Sequence, residues 1–592
     1  MEKKKKIYYL DSRANIGFQD QFLNLFPELR SPCNINKDEE NDTVVKNITF
    51  VTNETCNLNC SYCVSGDTKI TMSDFSKKKI KEIKIGDNIL AFNEKDGNKI
   101  EVSIVEKIYY HKEKTIVIEL ENGEILNVTK NHKLLSEINS NNNTWKEAGD
   151  FAINQYLYYL NPSKKLIKYK IKSIKENNET IDVYNIGTST KTYIANNILV
   201  HNCYEIHKAN RYMTKEIAKK AIDAIFDKEK MNDYITDFNK CAIIEFIGGE
   251  PLLNIEVIEF ICEYFLYKAT ILNHPWAINY MFNITTNGTL LDNDRIKRWI
   301  EKYKNRLSLG ITIDGNKELH DSCRVFYDGS GSYDIVSKNV KYAIENYGMK
   351  STKITFAPEN IDKINESIPH LFNMGLTELN ANCVFENVWK DEHVNPFYNE
   401  LIKLADYIID NDIYEYAFCS IFDDKIGIPM KNDDNRNFCG GTGSMLAIGT
   451  DGKFYPCIRY MQYALSKQKE KSIGNINTGI PLVKDQPFLQ ELKKITRRSQ
   501  STDECFNCKV AQGCAWCSGF NYDEFGTADK RATYICKMHK ARVLANYYYW
   551  NKLYQKLDMD DYFELNLNID EINFITNNQP IKIFKRRGSK NE

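Results

Sequence analysis

Cys56, Cys60 and Cys63 stand in the run Thr55-Cys-Asn-Leu-Asn-Cys-Ser-Tyr-Cys63, at C-x3-C-x2-C spacing. Three thiolates so spaced can hold three irons of one [4Fe–4S] cluster and leave the fourth iron open. From Cys63 to Asn202 the chain carries no further Cys and no Arg, and it ends Leu199-Val-His201-Asn202 before Cys203. Deleting 63–202 joins Tyr62 to Cys203 and restores C-x3-C-x2-C with Cys203 as its third ligand. The chain therefore reads as one protein interrupted inside its own cluster motif.

A second thiol-rich region lies far downstream: Cys439-Gly-Gly, then Gly452-x4-Cys457, then Cys505-x2-Cys508-x5-Cys514-x2-Cys517 and Cys536. Seventeen Cys without an apolar segment behind Met1-Glu-Lys-Lys-Lys-Lys6 argue for metal or catalytic use in the cytoplasm, not for disulfides. The net charge of −1 gives no footprint for nucleic acid or an anionic membrane surface. No run reaches the roughly 18 apolar residues of a membrane span. Cys33, Cys241, Cys262, Cys323, Cys383 and Cys419 stand outside the motifs and are read as packing residues. Arg324, beside Cys323, is a candidate partner for a carboxylate of cofactor or substrate.

Strands alternating with helices must position these groups. Val45–Val51, Cys241–Ile247, Tyr280–Thr286, Leu307–Ile313 and Lys353–Phe356 read as strands; Met213–Phe226 and Thr533–Tyr554 read as helices. Three strands run into Gly-rich turns: Gly248-Gly-Glu-Pro251, Asn287-Gly288 and Asp314-Gly315. Alternation predicts a parallel sheet with its chemistry at the C-terminal strand ends. Within 63–202, short strands at Asp87–Phe92, Thr115–Glu119 and Ile181–Ile186 predict a compact all-β fold.

The Cys loop with Gly248-Gly-Glu-Pro251, Thr285-Thr-Asn-Gly288 and Thr312-Ile-Asp-Gly315 resembles the radical S-adenosylmethionine (SAM) superfamily. The resemblance implies a partial (β/α) barrel and a [4Fe–4S] cluster on Cys56, Cys60 and Cys203. The open iron would chelate the methionine part of SAM, and one electron would cleave the C5′–S bond to a 5′-deoxyadenosyl radical. Gly248, Gly249, Glu250 and Pro251 would approach the methionine ammonium group, and Thr285 and Asn287 the ribose. Tyr62 would pack on adenine, and Asp314 completes the cofactor-binding set.

The downstream Cys region resembles the SPASM extension, which carries two auxiliary [4Fe–4S] clusters. The resemblance assigns Cys505, Cys508, Cys514 and Cys536 to one cluster, and leaves the other with Cys439, Cys457 and Cys517. The spacing departs from the family before the last Cys of the block, where only Ala515-Trp516 intervene. A tetrahedral zinc site on Cys505, Cys508, Cys514 and Cys517 is the alternative. The host most resembles peptide maturases whose substrates carry Cys-x-x-x repeats. That implies a ribosomally made precursor peptide, a thioether-type crosslink, and an electron donor of flavodoxin or ferredoxin type.

The interruption resembles a mini-intein of Hint fold: Cys63-Val-Ser-Gly-Asp at its start, Thr129-Lys-Asn-His132 inside it, and His201-Asn202 before Cys203 at its end. The resemblance gives each residue a role. Cys63 attacks the Tyr62 carbonyl in an N–S shift, Thr129 and His132 polarise that amide, and Cys203 takes over the thioester. Asn202 cyclises with help from His201 and cuts its own bond to Cys203. Many inteins have Asp where Asn185 stands and His where Lys191 stands.

The expected organisation is a segment 1–45, a radical SAM core 46–62 plus 203–425, an intein 63–202, a SPASM domain 426–545, and a C-terminal helix and tail 546–592. Two rivals remain: an insert that cleaves without ligation in a sulfatase-maturase-like enzyme, and a zinc-bound scaffold without activity.

Overall fold

The computed structural model describes residues 8–11, 16–19, 47–58, 64–93, 99–130, 132–138, 144–188, 190, 192–201, 211–235, 241–326, 330–431, 433–435, 437 and 439–584. Cys33, Cys60, Tyr62, Cys63, Lys191, Asn202 and Cys203 lie outside these. Two compact units emerge: residues 1–55, 210–320 and 333–592 form one, and residues 56–209 with 321–332 form the other.

The first unit is α/β. Strands β1 (Asn47–Asn53), β2 (Ala242–Gly248), β3 (Tyr280–Thr286) and β4 (Leu307–Ile311) run parallel in the order β4-β3-β2-β1. All seven residues of β1 are buried, as an interior parallel strand covered on both faces requires. Helices α1 (Lys215–Ile225), α2 (Ile255–Ile271) and α3 (Asp294–Tyr303) fall between the strands. In α1, Thr214 caps the N-terminus by accepting from the Ile217 N–H. Ala218, Ala221, Ile222 and Ile225 give α1 its buried face at helical spacing. Phe246 of β2 packs against Phe282 of β3 and edge-on to Trp299 of α3, so Trp299→Ala should cost about 3–5 kcal/mol.

After α4 (Tyr333–Tyr347), a second parallel sheet follows: β5 (Ser351–Phe356), β6 (Glu378–Cys383) and β7 (Phe418–Cys419), with α5 (Ile364–Asn373) and α6 (Val394–Asp410) between. The Thr352 hydroxyl of β5 donates to the Ile311 carbonyl of β4 at 2.7 Å. Sequence reading missed β6 and β7. It also missed β8 (Met445–Ile448), which pairs parallel to β1 and carries β9 (Lys453–Tyr455) and β10 (Gly474–Asn475) antiparallel beside it. Residues from the Cys-rich region thus extend the sheet that holds β1. The long helix α7 (Cys536–Lys556) packs on α6.

The second unit is all-β, a single network of twelve strands. The expected short strands at Thr115–Glu119 and Ile181–Ile186 are corrected: they belong to strands Lys99–Leu120 and Leu166–Thr188, which pair antiparallel with each other. The charged run Lys112-Glu113-Lys114 precedes Thr115 in the first of these strands. It stays extended because Asp182, Ile181 and Thr180 pair with it and satisfy its backbone. Among the described residues no helix is long and apolar enough to cross a membrane.

Candidate functional site

In the second unit, pairing register sets the first and last described strands of the insert, at Val64 and at Ile198–His201, beside the strands that flank the Thr129–His132 turn. Val64, just after Cys63, pairs with Val128 and with Tyr184. Thr129 follows Val128 and is fully buried, and Asn185 follows Tyr184 and is fully buried. The strand Ile198–His201 pairs with Thr192–Ala195, and Val200 pairs with Leu134. The His132 N–H donates to the Thr129 carbonyl at 3.1 Å, closing the turn that presents the imidazole.

His132 is fully buried and sits edge-on to Tyr193, ring centroids 6.3 Å apart. Burial first, and the His201 charge second, push its pKa down to about 3. The ring is therefore neutral at physiological pH. Asn185 turns its Oδ1 to the Ile186 N–H at 2.8 Å, a local bond that supplies no proton-transfer group. Trp145 covers His201 edge-on at 4.8 Å between centroids; no sequence signal pointed to it. Cys63, Asn202, Cys203 and Lys191 lie outside the described residues.

In the first unit, the end of β1 and the Gly248–Pro251 turn are stapled together. The Gly249 and Glu250 N–H groups donate to the Asn53 and Thr55 carbonyls at 3.2 and 2.8 Å. The Asn53 amide returns a bond to the Glu250 carbonyl at 2.7 Å. A Cβ at Gly248 would collide with the Asn53 carbonyl oxygen, so only glycine lets the two strand ends approach. Glu250 is fully buried and ties in the next turn: Oε1 accepts from Thr286 Oγ1 at 2.7 Å and the Leu252 N–H at 3.1 Å, and Oε2 from the Asn287 N–H at 2.7 Å. Burial pushes the Glu250 pKa up to about 7 in spite of these donors.

Pro251 opens a short 3-10 helix, Pro251–Asn254. The Asn287 side chain accepts from Thr289 within its own turn, while Thr285 is exposed on the sheet face. Asp314 stands beyond β4, its N–H donating to His320 Nδ1 at 3.3 Å. Sequence reading missed Glu54. It accepts from Thr450 Oγ1 at 2.6 Å and from the Arg211 guanidinium at 2.8 Å.

The downstream thiols fall into two groups. Cys505, Cys508, Cys514 and Cys536 line one cavity with Val510 and Ile535. Burial first raises the thiol pKa of Cys514, and that of Cys536 to about 11, and their thiol neighbours push the same way. Cys517 belongs to the other group: it raises the pKa of both Cys439 and Cys457, after burial. Cys517 is not among the residues that line the cavity of Cys505, Cys508 and Cys514. The Cys439 Sγ lies 3.1 Å from Ser518 Oγ, and a Cβ on Gly441 would crowd Cys457 Sγ at 3.0 Å.

Four convergent thiols in an apolar cavity fit an iron–sulfur cluster, which is held by four cysteine thiolates. Among the described residues no three His, Cys, Asp or Glu side chains are arranged to hold a metal ion. Of the first motif only Cys56 is described; it is buried and accepts from the Leu58 N–H at 3.4 Å.

A family model described as a Hint module matches residues 52–223. The radical SAM cyclopropyl synthase TigE of Paramaledivibacter caminithermalis is 25% identical over 346 residues, 57% of this chain and 66% of that protein. A cysteine-type anaerobic sulfatase-maturating enzyme of Clostridium novyi is 28% identical over 247 residues, 39% of this chain and 63% of that protein. The chain thus spans a little under two thirds of the length of these relatives. Among solved structures, a DnaB intein from Synechocystis sp. PCC 6803 matches 24% of this chain and 99% of its own at 22% identity, with a TM-score of 0.22.

Proposed function

We propose that this chain, which carries a Hint module and is homologous to radical SAM enzymes, is a precursor that splices out residues 63–202 and becomes a radical SAM peptide maturase. One observation carries the reading. Joining Tyr62 to Cys203 restores the cluster motif, and the chain on the two sides of the insert is already paired: the Met213 N–H donates to the Thr52 carbonyl at 2.9 Å, and the Glu54 N–H to the Arg211 carbonyl at 3.0 Å.

In this reading the Cys63 thiol attacks the Tyr62 carbonyl and frees its own amine. Thr129 and neutral His132 assist that step. The Cys203 thiol displaces Cys63 from the thioester. Asn202 then cyclises to a succinimide and releases Cys203, whose amine takes the acyl group by an S–N shift. Buried Asn185 leaves the usual acidic partner missing, so the insert relies on His132 and His201.

The spliced host is a partial (β/α) barrel with a SPASM region, over 46–62, 203–425 and 426–545. Cys56, Cys60 and Cys203 hold the SAM cluster; Cys505, Cys508, Cys514 and Cys536 hold one auxiliary cluster, and Cys439, Cys457 and Cys517 the other. When bound, the SAM cluster and SAM supply a radical that abstracts hydrogen from a peptide residue. Tyr62, Gly248, Gly249, Pro251, Thr285, Asn287 and Asp314 frame the cofactor, and Glu250 fixes the strand ends around it. The substrate is a cytoplasmic, Cys-containing precursor peptide, with a flavodoxin- or ferredoxin-type electron donor.

Anaerobic expression followed by intact-mass analysis tests this. The expected products are a host lacking 63–202 and a free insert. Asn202→Ala should block C-terminal cleavage, and Cys63→Ala should block thioester formation. Cleaved fragments without a ligated host would favour self-cleavage alone, and wild-type mass patterns in both variants would sink the intein reading.

A further inference from the structure

Glu245 stands in the middle of β2, between Ile244 and Phe246, which are buried in the core shared with α1, α2 and α3. Side chains alternate along a strand, so Glu245 points to the opposite face. Register sets it in one row with Thr49 of β1, Asn283 of β3 and, next to Asn283, Ser308 of β4. Two residues further along, exposed Thr285 pairs with partly exposed Gly310. Interior parallel strands ordinarily carry apolar residues on both faces. Here four adjacent strands turn polar groups to one face, and solvent reaches that face at Glu245 and at Thr285.

The Glu245 carboxylate is held in place but not neutralised. Thr49 Oγ1 donates to Oε2 at 2.7 Å, and Asn283 Nδ2 donates to Oε1 at 3.1 Å. Each oxygen thus accepts one bond and keeps room for a second. Among the described residues no Lys, Arg or His forms an ion pair with it. Burial raises its pKa, as a carboxylate drawn out of water without a counter-ion requires. Such a group is costly until a cation reaches it.

A second acceptor stands beside it. Asn47 lies two residues before Thr49, on the same face of β1, and pairs with Ile243, two residues before Glu245. Its side chain is buried, and its Oδ1 has no hydrogen-bond partner among the described residues. A buried acceptor left unmatched lacks a donor, not another acceptor. An ammonium group carries one positive charge and three N–H donors on a compact centre. It can serve both Glu245 oxygens and Asn47 Oδ1 together.

We propose that Glu245 and Asn47 form a subsite for an ammonium group of the peptide substrate, either a Lys side chain or the amino terminus. Thr49 and Asn283 are positioning residues that aim the carboxylate. The inference rests on the peptide-maturase reading and adds the chemical character of the substrate. It sets the positive charge of the peptide on the strand that ends in the Gly248–Pro251 turn.

The test uses the spliced, iron-loaded host in about 0.15 M salt, which screens surface charge. Three synthetic peptides are titrated calorimetrically. One is acetyl-Ala-Gly-Lys-Gly-Cys-Ala-amide, the second has Gln for Lys, and the third is the Gln peptide with a free amino terminus. The Lys peptide should bind about tenfold more tightly than the Gln peptide. Tighter binding of the third peptide instead would identify the amino terminus as the source of the ammonium. Glu245→Gln should abolish the discrimination and leave SAM affinity unchanged. Asn47→Ala, which keeps the carboxylate, should reduce the discrimination about threefold. Iron and sulfide content show that each variant is loaded, and Asn47→Ala decides if Glu245→Gln fails to load. Equal binding of all three peptides by the wild type, or binding of none, overturns the subsite. Full discrimination by either loaded variant does the same. Loss of SAM affinity in Glu245→Gln would also overturn it, because the ammonium would then be that of the cofactor. Deoxyadenosine formation by the wild type is measured in parallel. Its absence counts against the radical SAM reading, while the Lys–Gln comparison still decides the subsite.

Discussion

Arg211 and Glu54 lie on opposite sides of the insert in sequence, yet the guanidinium donates to one Glu54 carboxylate oxygen from both Nε and Nη2, at 3.1 and 2.8 Å. The backbone pairs alongside, through an antiparallel bridge between Asn53 and Tyr212. The other carboxylate oxygen accepts from Thr450 at 2.6 Å. The two arms flanking 63–202 are therefore clamped before any bond between them is exchanged. If residues 63–202 are spliced out, both junctions must stay together after the first cleavage, and the clamp would hold them there.

Glu54→Gln tests the clamp while preserving shape. Arg211 is 54% exposed, so the ion pair is discounted for solvent to about 1 kcal/mol. That corresponds to splicing slowed by about fivefold. Unligated N-terminal fragment should accumulate in the same proportion. The measurement is the rate at which the spliced mass appears after a pulse of expression. An unchanged rate and no added fragment would show that the arms need no clamp.

His132 makes the insert sensitive to acid. Its folded pKa, about 3, lies below its unfolded value near 6.5, so the unfolded chain binds the proton first. The stability this residue contributes is complete above about pH 6.5 and is lost as pH falls toward 3. The loss is on the order of 4–5 kcal/mol at the acid end. In a chain locked by Cys63→Ala and Asn202→Ala, urea midpoints of the insert should fall through that window. The same chain with His132→Gln should show a flatter profile. Parallel profiles would mean that another group carries the acid sensitivity.

The Hint module was legible because its residues stand at the ends of 63–202 and in one tetrapeptide, Thr129-Lys-Asn-His132. Strand β3 was legible for a local reason too: β-branched and aromatic residues bounded by a Gly turn. The Glu54 contacts were not. Nothing near Asn53-Glu54-Thr55 announces a partner 157 residues away, or one 396 residues away at Thr450. Strand β8 was hidden for the same reason, since only β1 gives Met445–Ile448 its pairing. The two-group arrangement of the late cysteines lies between these extremes. Spacing alone leaves Cys517 open to either group; in the folded chain it is absent from the lining of the Cys505–Cys508–Cys514–Cys536 cavity, and its charge acts on Cys439 and Cys457.

Glu250 should behave as a structural acid. Its pKa, about 7, is raised above the ordinary 4.5, so the folded state holds the proton that the unfolded state has lost between those values. Its contribution to stability is therefore fully present below about pH 4.5 and declines as pH rises toward 7. Glu250→Gln places an amide NH2 against one of three donors: Thr286 Oγ1, the Leu252 N–H or the Asn287 N–H. Losing one buried bond should cost about 1–3 kcal/mol. Thermal melts of the spliced host at pH 5 and pH 7 should show a lower Tm and a weaker pH dependence in the variant. A variant as stable as wild type at both values would show that the carboxylate does not tie the strand ends.

The late cysteines give the last prediction, because their two groups should fail separately. Cys536 opens α7 and faces the cavity that Cys505, Cys508 and Cys514 also line. Cys517 caps the helix Ser518–Phe525, its Sγ accepting from the Phe520 N–H at 3.5 Å, and belongs with Cys439 and Cys457. Cys536→Ala and Cys517→Ala should therefore each remove about one cluster's iron and sulfide, and the double variant about two. If the four thiols of the Cys505–Cys517 block instead held one metal ion, the Cys517 variant would empty the same site as Cys505→Ala. Iron, zinc and acid-labile sulfide measured on the three proteins separate these cases. Zinc without labile sulfide in the wild type, or a double variant no poorer in iron than either single one, would dissolve the two-group assignment.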